Sequence, residues 1–261
     1  LERAILAGHD IILLGERGQG KTRLIRGLIG LLDEAIHAID GTETNDDPYA
    51  PSSATGRRIL AEQGDDAPIR WLAPEDRFSE KLATPDIAVA DLIGDLDPIK
   101  VAEGRYLTDE ETIHHGLVPR TNRGIVSINE LPDLPPRIQV ALLNVLEERD
   151  VQIRGHLVRL ELDLLLVATA NPEDYTNRGR IITPLKDRFG SEVRTHYPRT
   201  AEHEIAIVGQ ELTPPPADVA WDLPQVMREV VVALTERART SSHVNHRSGV
   251  SVRFSIANAE T

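Results

Sequence analysis

The chain of 261 residues carries 42 acidic and 29 basic side chains, a formal net charge of −13. That length accommodates one large α/β domain with a small satellite rather than several full domains. The acidic balance speaks against a chain-wide electrostatic grip on nucleic acid or an anionic bilayer. With no cysteine there is no disulfide framework, thiolate metal site or thiol nucleophile, and two Trp, four Tyr and three Phe are too few for a base-stacking platform. No apolar run approaches the roughly 18 residues of a membrane-spanning helix, and no charged-then-apolar leader is visible. These features describe a soluble, cytoplasmic globular protein. The chain opens at Leu1 and its single methionine is Met227, so the sequence reads as a fragment.

Leu1, Ala4 and Ile5 are spaced for a short amphipathic helix over residues 1–9. Asp10–Leu14, a bare apolar run bounded by Gly15, predicts a strand buried on both faces. After a glycine-rich turn, Leu24, Leu28, Leu31, Leu32 and Ala35 form a stripe that predicts a helix from Lys21 to about Ala38. Strand, glycine loop and helix in that order open a parallel α/β sheet. Residues 40–68 collect acidic, Pro, Ser and Gly residues without periodicity and predict a long surface insertion. A second strand is expected around Ser79–Ala83, whereas residues 85–123 alternate short apolar pieces with Gly and Pro and fit no single pattern.

Order returns with a strand over Ile125–Ile128 that ends in Asn129–Glu130. In Arg137–Arg149 the apolar residues Ile138, Ala141, Leu142, Val145 and Leu146 share one helical face. Val151–Arg154 and Leu157–Glu161 flank Gly155–His156 as a β-hairpin, and Leu164–Thr169 is a further buried strand closing on Asn171–Pro172. A last core strand fits Glu192–His196. Pro214–Pro216 then stiffens a linker and marks a domain boundary, and Leu223–Arg239 predicts a helix. No internal repeat is visible.

The chemistry concentrates in four places. Gly15-Glu16-Arg17-Gly18-Gln19-Gly20-Lys21-Thr22 matches GxxxxGK[ST], which arises by chance in a chain this long on the order of once in a hundred. Its glycines let backbone N–H groups turn inward around phosphate oxygens, and the following helix points its positive end at them. Lys21 adds a point charge between the β- and γ-phosphates, and Thr22 offers a hydroxyl to Mg²⁺. Asn129–Glu130 at a strand end suits a nucleotide hydrolase, with Glu130 placed to polarise the attacking water. Asn171 is a neutral hydrogen-bonder able to orient that water or touch the γ-phosphate. Arg188, in Leu185-Lys186-Asp187-Arg188-Phe189-Gly190, is able to act as an arginine finger, although a structural Asp–Arg pair would look the same.

The set GERGQGKT, GLVPRTNRGIVSINELPDL, LLNVLEERDVQIRG, ATANPEDY, PLKDRFG and RSGVSVRFS resembles the AAA+ ATPases of the helix-2-insert group. It is similar to the I subunit of magnesium chelatase and to MoxR-type ATPases, and GL…NRG with PLKDRFG favours the chelatase side. The resemblance covers roughly residues 1–212, with fainter agreement to 257. It implies an α/β P-loop NTPase core over 1–212, with a parallel sheet flanked by helices, and a partial helical lid over 213–261. Within that core, residues 40–68 would be the surface insertion and 85–123 would hold the helix-2 insert. It further implies that Gly15–Thr22 is Walker A and Ile125–Glu130 Walker B, with Glu130 the catalytic carboxylate and Asn171 sensor 1. Arg188 would reach the nucleotide of the next subunit in a ring, a hexamer by analogy, and Arg253 would be sensor 2. Val151–Glu161 would be the pre-sensor-1 hairpin. ATP and Mg²⁺ are the implied cofactors, with Thr22 and position 129 toward the metal. The implied partner is either a chelatase D subunit or a von Willebrand A-type protein, with no role for nucleic acid or membrane. One departure stands out: the family's Walker B strand ends in Asp–Glu, and here the first position is Asn129. An amide brings no negative charge, which predicts weakened Mg²⁺ affinity and slow turnover, or a module that assembles on ATP and barely hydrolyses it.

Other signals carry bland readings. His114–His115 reads as a solvated loop pair, Asp109–Glu111 as a helix opening, and Glu147–Glu148 as a solvated face. His203–Glu204 lacks the second His of HExxH, which excludes a zinc protease. Trp71 and Trp221 read as core or interface packing, and Arg228, Arg237 and Arg239 as an exposed helix face. A σ54-type activator would need a GAFTGA-like loop, a GTPase an NKxD reader and an ABC protein LSGGQ; the sequence contains none of them.

Overall fold

The computed structural model describes residues 1–97, 99, 112–149, 151–153, 156–158, 160–171, 179–213, 222–244 and 250–260. The expectations for Asp109–Glu111, Gly155, Pro172, Pro214–Pro216 and Trp221 therefore lie outside the described residues. Eleven strands are described: β1 (Ile11–Leu14), β2 (Ile36–Ile39), β3 (Ile69–Leu72), β4 (Phe78–Leu82), β5 (Gly94–Leu96), β6 (Ile113–His115), β7 (Gly124–Asn129), β8 (Val151–Ile153), β9 (His156–Val158), β10 (Leu164–Ala170) and β11 (Ser191–Arg194). Five of them form the main sheet in the order β11-β1-β10-β7-β4. β10 runs parallel to β7 with Ala168 opposite Ile128, and β4 runs parallel to β7 with Leu82 opposite Asn129. The apolar runs of β1, β7 and β10 are nearly continuous because both faces of these strands are covered. With its flanking helices and extra C-terminal helices, this is an AAA+ P-loop NTPase fold.

By contact the chain divides into two compact units, Leu1–Leu13 with Thr22–Val193 and Leu14–Lys21 with Arg194–Thr261. In the first, Ile11, Leu13, Ile25, Leu28, Ile125 and Val167 form one buried cluster. Helix Pro136–Glu148 begins at a Pro pair, buries Ile138, Leu142, Val145 and Leu146, and stops where Arg149 turns to φ +55°. The Arg149 guanidinium then reaches Asp10 at 2.8 Å. Asp10 is buried, and desolvation raises its pKa despite the N–H of Leu166 and the positive charge of Arg149.

The structure departs from the sequence reading at several elements. The helix opened by Lys21 ends at Gly27, tightens into a 3₁₀ turn over Leu28–Leu31, and residues 36–39 form β2 instead. Gly27 and Gly30 each weaken a helix by about 1 kcal/mol relative to Ala, and Ile36–Ile39 pairs antiparallel with β3. Residues 40–68 are organised around the buried Asp46, whose carboxylate accepts from Thr44 (2.8 Å), Ser52 (2.9 Å) and the hydroxyl of Ser53. Ser53 also caps helix Ala54–Gln63 by accepting from the Gly56 N–H. Such polar clusters have no hydrophobic period, so pattern reading overlooks them. His114 is exposed but His115 is buried in β6, and Trp71 is 69% exposed, edge-on to His37, rather than in the core.

In the second unit Val208, Val232 and Ala259 bind helices Ala201–Glu211, Gln225–Thr240 and Val252–Glu260 together. Arg239 lies on a packed rather than an exposed face: it makes a bidentate pair with the fully buried Glu204 at 2.5 and 2.8 Å, and Ser255 also donates to Glu204.

Candidate functional site

Gly15–Thr22 joins β1 to the helix beginning at Lys21. Gly18 and Gly20 take φ values of +77° and +76°, which a Cβ disfavours. The loop is tied down within its own unit. Gln19 accepts from the Glu16 N–H at 3.1 Å and from the Thr195 hydroxyl at 2.7 Å, and the Tyr197 hydroxyl donates to the Arg17 carbonyl at 2.9 Å. A Cβ on Gly18 would run into the side chain of Ser251, so the start of helix Val252–Glu260 lies against the loop. Arg253 stands two residues beyond Ser251 and is exposed. Tyr197 in turn lies under the Arg239 guanidinium at 4.7 Å.

Lys21 is buried, and its ammonium donates to the carbonyls of Gly15 at 2.6 Å and Glu16 at 2.8 Å. Anionic phosphate oxygens are stronger acceptors than carbonyls. The ammonium is therefore held by the loop that would cradle them.

A second group lies at the end of β7 in the first unit. Glu130 has φ +57° and ψ +49°, a left-handed backbone uncommon outside glycine, and its N–H donates to the Thr169 hydroxyl at 3.0 Å. Asn129 donates through Nδ2 to Glu80 Oε1 at 2.6 Å, and Thr169 Oγ1 lies 3.5 Å from Asn129 Oδ1. The other oxygen of Glu80 accepts from Arg26 Nε at 2.9 Å. Asn171 follows β10 directly and is buried, and Ala168 of β10 pairs with Ile128 of β7, so Asn171 and Glu130 leave the same edge of the sheet.

Thr22, Asn129 and Glu80 offer hard oxygen donors, the chemistry that suits Mg²⁺. Among the described residues no group of three or more His, Asp or Glu side chains is arranged to hold a metal.

Arg188 closes helix Thr183–Arg188 and pairs with Glu147 of helix Pro136–Glu148 at 2.6 Å, rather than with its neighbour Asp187. Both side chains remain about half exposed, at 48% and 41%. Sequence reading missed Glu80, Arg26, Thr169, Thr195 and Tyr197. Only strand register and long-range contacts bring them in, and no motif marks them.

A phosphate loop after β1, with a polar pair ending β7 one strand further on beyond β10, is the arrangement of an AAA+ P-loop NTPase fold. Comparison with known proteins agrees. The Sigma-54 interaction domain model matches residues 101–188. Magnesium-chelatase subunit ChlI-1 of Arabidopsis thaliana is 28% identical over 211 residues, covering 76% of this chain and 44% of the relative. The magnesium-chelatase 38 kDa subunit of Rhodobacter capsulatus is 28% identical over 210 residues, covering 76% and 52%. The chain thus spans about half the length of the curated relatives it matches. Among solved structures, a chain of the BchI–BchD magnesium-chelatase complex has a TM-score of 0.56 at 22% identity, covering 90% of this chain and 72% of that one. NtrX from Brucella abortus in complex with ADP has a TM-score of 0.52 at 15% identity, covering 99% and 46%. The chain is an AAA+ ATPase domain related to the magnesium-chelatase I subunits.

Among the described residues no helix is long and apolar enough to cross a membrane.

Proposed function

We propose that this domain binds Mg²⁺–ATP on Gly15–Thr22 and hydrolyses it in an oligomeric ring, a hexamer on the AAA+ resemblance, to remodel a protein partner. The observation that carries this reading is the loop itself: two left-handed glycines and a lysine ammonium held against the loop's own carbonyls. Its backbone N–H groups, Lys21 and Thr22 bind the phosphates, and Mg²⁺ supplies charge neutralisation at the phosphate oxygens. Glu130, held in a fixed backbone conformation by Thr169, orients and deprotonates the attacking water. Asn171 donates to that water or to the γ-phosphate, Arg253 contacts nucleotide from the segment 213–261 acting as a lid, and Arg188 completes the site of the adjacent subunit.

The relatives support a motor role of the magnesium-chelatase I type, acting beside a D-type subunit to drive Mg²⁺ into a porphyrin. A MoxR-type role, with a von Willebrand A-type partner, uses the same site. Asn129 motivates a second reading, an ATP-gated assembly module with little turnover. Phosphate release by wild type and Glu130→Gln separates the two. Turnover that falls by at least a hundredfold in the variant, with ATP binding retained, supports the hydrolase. Negligible release by the wild type, together with ATP-dependent oligomerisation, supports the module.

A further inference from the structure

The end of β7 lacks the acid that the resemblance leads one to expect, and the neighbouring strand carries one. Glu80 of β4 lies opposite Ser127 of β7, two residues before Asn129. Side chains alternate along a strand, so residues two apart share a face, and Glu80 reaches forward along that face to Asn129. The contact is short, 2.6 Å from Asn129 Nδ2 to Glu80 Oε1, and the Glu80 side chain is only 21% exposed. Because the amide nitrogen faces the carboxylate, the Asn129 oxygen points away from Glu80 and lies on the side of Thr169.

An aspartate at position 129 would set carboxylate against carboxylate at that distance, which like-charge repulsion opposes. Asparagine and Glu80 are instead complementary, one bringing the acceptor oxygen and the other the charge. We infer that Glu80 supplies the negative charge that holds the Mg²⁺ of bound Mg²⁺–ATP, while fixing the Asn129 amide with its oxygen on the side of Thr169. This rests on the Mg²⁺–ATP reading above. Glu80 acts through Asn129 and through space, as a positioning residue, and Arg26 shares only its second oxygen from a side chain that is 59% exposed. Asn129 is then no defect in metal binding, because the acid has moved one strand across the sheet.

The test uses Mn²⁺ in place of Mg²⁺, with its binding to the ATP-loaded protein followed by electron paramagnetic resonance. Metal-free ATP affinity in EDTA is measured alongside. Glu80→Gln keeps an acceptor for Asn129 Nδ2 and removes only the charge. It should weaken Mn²⁺ binding by about tenfold, as loss of one nearby charge predicts, and leave metal-free ATP binding unchanged or tighter. Combining it with Asn129→Asp returns one carboxylate to the pair and should restore Mn²⁺ affinity to within about threefold of wild type. Asn129→Asp alone should gain little. A Glu80→Gln protein that binds Mn²⁺ as the wild type does would overturn the inference and leave the ATPase reading intact. A wild type that binds ATP neither with nor without metal would overturn the ATPase reading itself, and this inference with it.

Discussion

Arg188 is engaged within its own chain, and the nature of that engagement decides whether it is available to a neighbour. Its partner Glu147 is 2.6 Å away, with the two side chains 48% and 41% exposed. Half-exposed ion pairs contribute about 0–1 kcal/mol, so freeing the guanidinium costs at most about a fivefold change in an equilibrium. Glu147→Gln should therefore change the rate of phosphate release by less than about fivefold. Arg188→Ala removes the proposed finger and should cost about a thousandfold or more with ATP binding retained. A head-to-tail ring places the finger of one subunit at the site of the next. Equal mixing of Arg188→Ala with Lys21→Ala then leaves roughly a quarter of the interfaces with an intact loop facing an intact finger. Steady-state phosphate release from the mixture should recover to about that share of wild type. No recovery on mixing would refute action in trans. A Glu147→Gln loss as large as that of Arg188→Ala would refute the argument that the pair is a weak resting contact.

Two further predictions concern stability. Arg239→Ala strands the fully buried Glu204 carboxylate and should cost about 3–5 kcal/mol in urea unfolding of the Arg194–Thr261 unit; replacing both residues with leucine should cost much less, and equal losses would contradict the charge argument. Burial holds the pKa of His115 below its ordinary value of 6.5, against the opposing charges of Glu43 and Asp46. Its stabilising contribution is therefore complete above that value and lost as pH falls below it, until the folded imidazole also takes its proton. Relative to His115→Gln, wild-type stability should fall in that window by at most about 1.4 kcal/mol per pH unit, and parallel curves for the two proteins would dismiss the effect.

Elements with a strong period or a covalent motif were legible in the sequence. The runs of β1, β7 and β10 announce strands covered on both faces, helix Pro136–Glu148 has an unbroken apolar face, and the glycines of the phosphate loop need the backbone conformation they adopt. What escaped depends on partners distant in sequence. Ile36–Ile39 looks like the end of a helix until Ile69–Leu72 offers it a ladder. The buried Asp46 cluster is polar throughout, and polar residues without a period look like surface. Glu80 is one carboxylate among many along the chain, and only the parallel register of β4 against β7 brings it to Asn129. Arg239 reads as an exposed charge because its partner Glu204 lies on another helix.

The account rests on the capture of a nucleotide triphosphate by the loop at Gly15–Thr22. Isothermal titration of wild type and Lys21→Ala with ATP tests it most directly, with circular dichroism to show that both are folded. The account predicts saturable heat for the wild type and none for the variant, whose loop has lost the ammonium now held by the carbonyls of Gly15 and Glu16. A wild type without binding heat, or a variant that binds equally well, would contradict it.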